Sequence, residues 1–310
     1  MFHRCRKRVL AGLIAAVAGG MLLSATTAAA YVPPPEEDPF YRYEGSTPLA
    51  QIPPGSVLKT RTFSSYHIAG LPTPVRVVQL LYRSIGALGE PTVNVTSVLI
   101  PPLVLGEPKV VSYQSFYDSL NPREDPSYKI ALEASEPPKL SLQSPGPDSE
   151  ELFIAPFLLA GDTVVVTDIE GEEADFAAGP VYGFNTIFGI QAALNSPQTG
   201  LAETHKIAMI GYSGGAIGTG WGVELAPAYD PAVNARLVGA SMGGVLVDPL
   251  HNLHYIEGSE KWSGVMPMAL IGIGRAYHID VYQYANRYGT ELFNLSRKQG
   301  LAKRRATTQA

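Results

Sequence analysis

The chain has 310 residues, with 23 Lys or Arg against 28 Asp or Glu, and its single cysteine is Cys5. The acidic balance argues against nucleic acid as a partner. Past Cys5 the composition excludes a disulfide framework, a thiol nucleophile and a thiolate metal site.

Residues 1–30 read as a secretory signal. Arg4, Arg6, Lys7 and Arg8 form a basic start, Val9 to Leu23 an apolar run, and Ala28-Ala29-Ala30 a small-residue cleavage site before Tyr31. The alternative is a membrane anchor, but glycines interrupt the run and it is shorter than the ~20 residues of a spanning helix. Cleavage removes four basic and no acidic residues, leaving 19 against 28 and a net charge of −9. The expected location is outside the cell or in its envelope.

Residues 31–54, rich in Pro, Glu and Asp, predict an extended N-terminal segment. Residues 55–248 carry the rhythm of one α/β domain. β-branched or alternating stretches predict strands at Val75–Tyr82, Val93–Ile100, Lys109–Tyr113, Asp162–Thr167, Ile207–Ile210 and Leu237–Ala240. Helical spacing marks Ser149–Leu159, Tyr182–Leu194 and Ala216–Leu225. Asn121 to Asp148, dense in Pro, Ser and charge, predicts a long surface loop. Alternating strands and helices predict a mostly parallel central sheet with flanking helices. Residues 249–295 predict mostly helical structure, the start of a partial cap. Residues 296–310 read as a basic tail, with Arg297, Lys298, Lys303, Arg304 and Arg305.

The chemistry is carried by Gly211-Tyr212-Ser213-Gly214-Gly215, a G-x-S-x-G pentapeptide. A serine on a sharp strand-to-helix turn needs glycines two before and two after it, because the flanking backbones approach closely there. The Gly214 N–H, at the helix start, then faces a developing oxyanion. Glycine is common here, at 31 residues, and a second match occurs at Gly239-Ala240-Ser241-Met242-Gly243. Only the first lies between a predicted strand and a predicted helix. Ser213 is therefore the candidate nucleophile, and Ser241 reads as a tightly packed strand end near the site.

The base is less clear. His67 and His205 precede Ser213, against the chain order of this kind of triad, and His251 and His254 follow one strand too soon. His278 with Asp248 or Asp280 is the best pair, and for each histidine a surface or cap role is the alternative. No spacing marks a metal site, and no cofactor is required.

Further motifs align with a known family. Asp38-Pro39-Phe40-Tyr41, Ser112-Tyr113-Gln114 with Asp118, Pro126-Ser127-Tyr128, Asp168-Ile169-Glu170-Gly171, the Gly211–Ala216 elbow and Gly239–Gly244 occur in order. Together they resemble the secretory lipase family, the lipase A type of α/β-hydrolase. The resemblance implies an α/β-hydrolase fold and an acyl-enzyme on Ser213. It implies backbone N–H groups of Gly214 and Asp118 as the oxyanion hole, and a lipid or small ester as substrate, met in solution or at a lipid interface. Asp168 and Glu170 read as structural members of their motif. Family members often carry a cysteine where this chain has Asp125. They place the triad acid roughly 150 residues after the nucleophile and the histidine some ~30 later; this chain ends at Ala310, 97 residues past Ser213. The expectation is a truncated chain without its triad acid and histidine, with Ile271, Ile273 and Leu292 losing part of their covering. The rival functions are an impaired homologue that at most binds acyl chains and an acyltransferase on the same scaffold.

Overall fold

A computed structural model describes residues 31–104, 109–135, 150–202, 204–260, 262–297 and Gly300. The expected signal, most of the basic tail and residues 136–148 of the expected loop lie outside these.

The strand β7 (Thr163–Thr167) shows how the sequence builds the centre. Its five residues are all buried, with Val164 and Val166 in one apolar cluster and Val165 in another. Side chains alternate across a strand, so an unbroken apolar run satisfies a sheet covered on both faces. The sheet also contains β1 (Val57–Phe63), β4 (Arg76–Ile85), β5 (Pro91–Ile100), β6 (Lys109–Gln114), β8 (Lys206–Tyr212) and β9 (Leu237–Gly243), while β2 (Tyr66–Ile68) and β3 (Leu71–Thr73) form a separate hairpin. The order is β1-β4-β5-β7-β6-β8-β9. β1, β4, β5 and β7 pair antiparallel; β7, β6, β8 and β9 run parallel. The predicted strands stand in this sheet, most of them longer than predicted, while Val75 and Asp162 fall outside β4 and β7, and β1 joins them from a stretch that the sequence pattern had not marked.

One face of the sheet is covered by α3 (Gly179–Asn195), whose Phe184, Ile187, Phe188 and Ile190 meet Val78, Leu80, Val98 and Val165. The helix α4 (Gly214–Tyr229) lies on the same side and adds Ala226. The opposite face is covered by α1 (Pro126–Ser135) and α2 (Glu151–Ala160), through Ile130, Ile154 and Leu158. The helix α1 corrects the expected surface loop. Ile130 and Ala131 fall on the same face as Ser127 and are buried, while the polar composition belongs to the exposed side and the flanks. Pro126 opens the helix, where a missing N–H costs nothing.

The short α5 (Pro231–Asn234) precedes β9, and past that strand come α6 (Pro249–Ile256), α7 (Val265–Ala276) and α8 (Arg287–Ser296). Met268, Ala269, Ile271 and Phe293 bury with Leu120 and Phe176. Ile271 is thus buried, contrary to expectation, because α7 lies on the loop after β6, while Ile273 and Leu292 are half-buried. Arg275 fastens this packing by donating to the carbonyls of Leu120, Glu173, Ala174 and Arg297.

Candidate active site

Ser213 alone joins β8 to α4. Its φ of 54° and ψ of −117° lie in a region that L residues rarely adopt. The turn is held from both sides: the Ser213 N–H donates to the Gly243 carbonyl at 2.9 Å, and the Ser213 carbonyl accepts from Ala216 N–H at 2.9 Å. Both flanking glycines are required by backbone. A methyl on Gly211 would lie 2.6 Å from Thr219 Oγ1 and closer still to the Gly215 carbonyl. A methyl on Gly215 would lie 2.9 Å from the Gln114 carbonyl carbon, nearer to its oxygen, and 3.2 Å from the Ser115 oxygen.

The second pentapeptide has no such constraint. Among the described residues nothing lies within 4 Å of a methyl on Gly239, and the nearest atoms to one on Gly243 belong to the Tyr212 ring. Ser241 sits within β9 and is exposed, so it is not the tightly packed residue expected. The reason is topological: β9 is an edge strand paired only with β8. Its motif serves the elbow indirectly, through the Gly243 carbonyl.

Asp118 lies in the loop leaving β6, with a positive φ of 40°. A methyl on Gly214 would fall 2.9 Å from Asp118 Cγ and closer to Oδ1, so the Asp118 carboxyl occupies the space that only a glycine leaves. The structure therefore brings Ser213, Gly214 and Asp118 to one place. Beside them Phe116 packs edge-to-face on Phe153 and on Tyr212, with centroids 6.0 and 6.2 Å apart, an apolar wall next to the serine.

The candidate acids and most of the histidines have partners of their own. His278 is exposed, with Nε2 3.7 Å from Glu90 Oε1. Asp248 caps α6 by accepting from His251 N–H at 2.9 Å, and Asp280 caps a 3-10 turn by accepting from Tyr282 N–H at 3.0 Å. His254 Nδ1 lies 3.8 Å from Glu257, His205 bonds the Ala202 backbone, and buried His67 bonds the Glu133 carbonyl. Among the described residues no group of three or more His, Cys, Asp or Glu is arranged to hold a metal ion.

Two buried networks that the sequence did not reveal join residues of the other motifs. In the first, Asp168 accepts from Ser127 N–H at 2.8 Å and from Ser127 Oγ at 2.5 Å, and Ser127 Oγ is 2.9 Å from Tyr41 Oη. Arg61 pairs with Asp38 at 2.5 Å and stands over the Phe40 ring, 4.1 Å from its centroid. Three sequence motifs thus meet at the Ser127 hydroxyl, and Arg61 braces the first of them from 23 residues beyond Asp38. In the second network, Glu170 accepts from Ser119 N–H with both oxygens at 3.2 Å and from Tyr182 Oη at 2.9 Å. Burial pushes the carboxyls of Glu170, Asp168 and Asp125 above the usual range, and neighbouring acids reinforce it for Glu170 and Asp125. Asp125 is therefore more than a missing cysteine: it places another carboxyl in a buried acidic region.

Residues 140–304, over half of the chain, match the family described as Secretory lipase. Lipase 6 of Candida albicans is 35% identical over 244 residues, covering 77% of this chain and 50% of that protein. A probable inactive lipase of Mycobacterium tuberculosis is 33% identical over 208 residues, covering 66% of this chain and 45% of its own length. The solved structure of Candida antarctica lipase A in its closed state aligns with a TM-score of 0.72 at 29% identity, covering 86% of this chain and 60% of that one. The chain spans about half the length of the curated relatives it matches. With its α/β-hydrolase sheet, its elbow and these relatives, the chain belongs to the secretory lipase family.

Proposed function

We propose that the chain is built for acyl transfer from lipid or short-chain esters to Ser213. The observation that carries this reading is that two loops, each with a non-glycine residue at positive φ, meet at Gly214: the Asp118 carboxyl fills the space beside the residue that follows Ser213. Strained backbone of this kind persists only where its surroundings over-determine it, and it clusters at functional sites. In the proposed step Ser213 Oγ bonds to the ester carbonyl carbon while the carbonyl π pair moves onto oxygen. The N–H groups of Gly214 and Asp118 receive that charge. The tetrahedral species collapses, the C–O bond to the alcohol breaks, and the alkoxide leaves with the proton that Ser213 gave up. The Phe116–Tyr212–Phe153 wall is the surface for the acyl chain. Water then releases the acid; another alcohol in its place would give acyl transfer.

A second reading, an acyl-binding homologue that turns over poorly, is favoured by two observations. His278, His254, His205 and His67 each have partners elsewhere, and a relative is described as probably inactive. A serine without its base retains only oxyanion stabilisation and binding, a small part of the full rate enhancement.

The test uses a nitrophenyl alkylphosphonate, which releases nitrophenolate as it bonds to an active serine, and mass spectrometry to locate the adduct. Labelling is expected at Ser213, absent in Ser213→Ala and retained in Ser241→Ala. Labelling that survives Ser213→Ala would sink the assignment. Stoichiometric labelling without steady hydrolysis of a nitrophenyl ester would select the second reading. The family's description as secretory and the basic–apolar–Ala-x-Ala start support export with cleavage before Tyr31. Mass spectrometry of secreted protein still carrying residues 1–30 would overturn that.

A further inference from the structure

The loop from Ser115 to Ser119 carries Asp118 at a positive φ, yet it contains no glycine. Something outside the loop must hold it, because a non-glycine residue there costs on the order of 1–2 kcal/mol. Two carboxylates approach from different segments. At the near end Glu150 Oε1 accepts from the Phe116 N–H at 2.9 Å, and the same carboxyl hydrogen-bonds the Ser115 side chain. At the far end both oxygens of buried Glu170 accept from the Ser119 N–H at 3.2 Å. Between them Tyr117 Oη accepts from the Glu170 backbone N–H at 2.9 Å. Glu170 is in turn fixed by Tyr182 Oη at 2.9 Å, and Tyr182 accepts from the Ala177 N–H at 3.0 Å. Asp118 thus sits between two amides whose hydrogen bonds go to side chains rather than to a helix or a sheet.

We infer that Glu170 and Glu150 are positioning residues for the oxyanion loop, setting where the Asp118 N–H points without touching the substrate. The inference rests on the reading of Asp118 as an oxyanion donor. Leucine at 170 offers the Ser119 N–H and the Tyr182 hydroxyl no acceptor. A purely structural role predicts that protection is then lost across the sheet; a positioning role predicts that the loss is confined to the loop. Glutamine keeps one acceptor oxygen.

Hydrogen–deuterium exchange on the full chain tests this, comparing wild type with Glu170→Leu, Glu170→Gln and Glu150→Leu, alongside the rate of Ser213 phosphonylation. Peptides covering residues 115–121 are expected to exchange at least tenfold faster in both leucine variants, while β4 and β5 keep their protection. Phosphonylation is expected to slow at least tenfold at unchanged apparent affinity for the phosphonate, and Glu170→Gln is expected to restore most of both. Unchanged exchange at 115–121 in both leucine variants overturns the inference whether or not Ser213 reacts. Uniform loss of protection across the sheet in both overturns it too, since the carboxylates would then hold the fold and not the loop. A loosened loop in a chain whose wild-type Ser213 never reacts supports the brace and refutes the nucleophile reading, so the two failures are distinct.

Discussion

Replacing Gly215 with alanine isolates the steric claim behind the elbow. The added methyl would sit 2.9 Å from the Gln114 carbonyl carbon, closer to its oxygen, and 3.2 Å from the Ser115 oxygen, all of them backbone atoms that cannot rotate away. The start of α4 must back off from the end of β6 by about 1 Å, and overpacking of this kind costs about 1–3 kcal/mol. The same shift stretches the buried 2.7 Å hydrogen bond between Thr219 Oγ1 and the Gln114 side chain. Losing it adds about 1–3 kcal/mol, against a helix-propensity gain for alanine of up to ~1 kcal/mol. The net expectation is about 3 kcal/mol, which lowers Tm by roughly 6–12 °C for a chain of this size. Gly239→Ala is the matched control from the second pentapeptide. Among the described residues nothing lies within 4 Å of its new methyl, and it is expected to stay within about 0.5 kcal/mol of wild type. Near-ultraviolet circular dichroism melts compare the two, with Ser213 phosphonylation lost only in Gly215→Ala. If Gly215→Ala melts with Gly239→Ala and reacts normally, the two glycines are equivalent and the steric account of the motif is wrong.

Two further outcomes follow from the buried networks. Asp175 is pushed up to about 7, chiefly by burial, and Glu170, Asp168 and Asp125 are raised as well. The folded chain therefore holds protons that the unfolded chain releases nearer pH 4, and stability falls as pH rises through about 7. Tm is expected to climb as pH is lowered from 8 to 5; a Tm that is flat or falls over that range contradicts the burial of these acids. Arg61→Ala removes the Asp38 ion pair and the stacking on Phe40 and leaves Asp38 buried without its guanidinium. With partial solvent access at the arginine, a loss of about 2–3 kcal/mol is expected by denaturant titration, and Arg61→Lys recovers only part of it. A midpoint unchanged in Arg61→Ala removes that network from the stability of the fold.

What the sequence disclosed follows from the range of the interactions. β7 was legible because burial on both faces writes itself into adjacent residues, and the elbow because its constraint spans five positions. The helix α1 was not, since only a few of its residues face the core and its flanks are polar. The Asp38–Arg61 and Ser127–Asp168 contacts join residues 23 and 41 positions apart, beyond any local pattern. Resemblance brought Asp118 forward, but nothing in its neighbours announced a positive φ without a glycine. Nor does sequence reveal that Asp248 and Asp280 act as caps: an aspartate before a helix turn and one behind a histidine look alike until the backbone is placed.

On the proposed reading of Ser213, its φ of 54° also bears on which atom can do the attacking. Serine, threonine and cysteine all offer a nucleophilic heteroatom on Cβ, and solution reactivity alone does not choose between the two alcohols. Backbone torsion does. A β-branched side chain at positive φ is a steric outlier, so Ser213→Thr keeps the hydroxyl and loses the turn that presents it. Cysteine is unbranched and fits the same torsion. The elbow thus admits exchange of oxygen for sulfur more readily than the addition of one methyl group, and the alcohol this fold accepts is set by its main chain before any ester arrives.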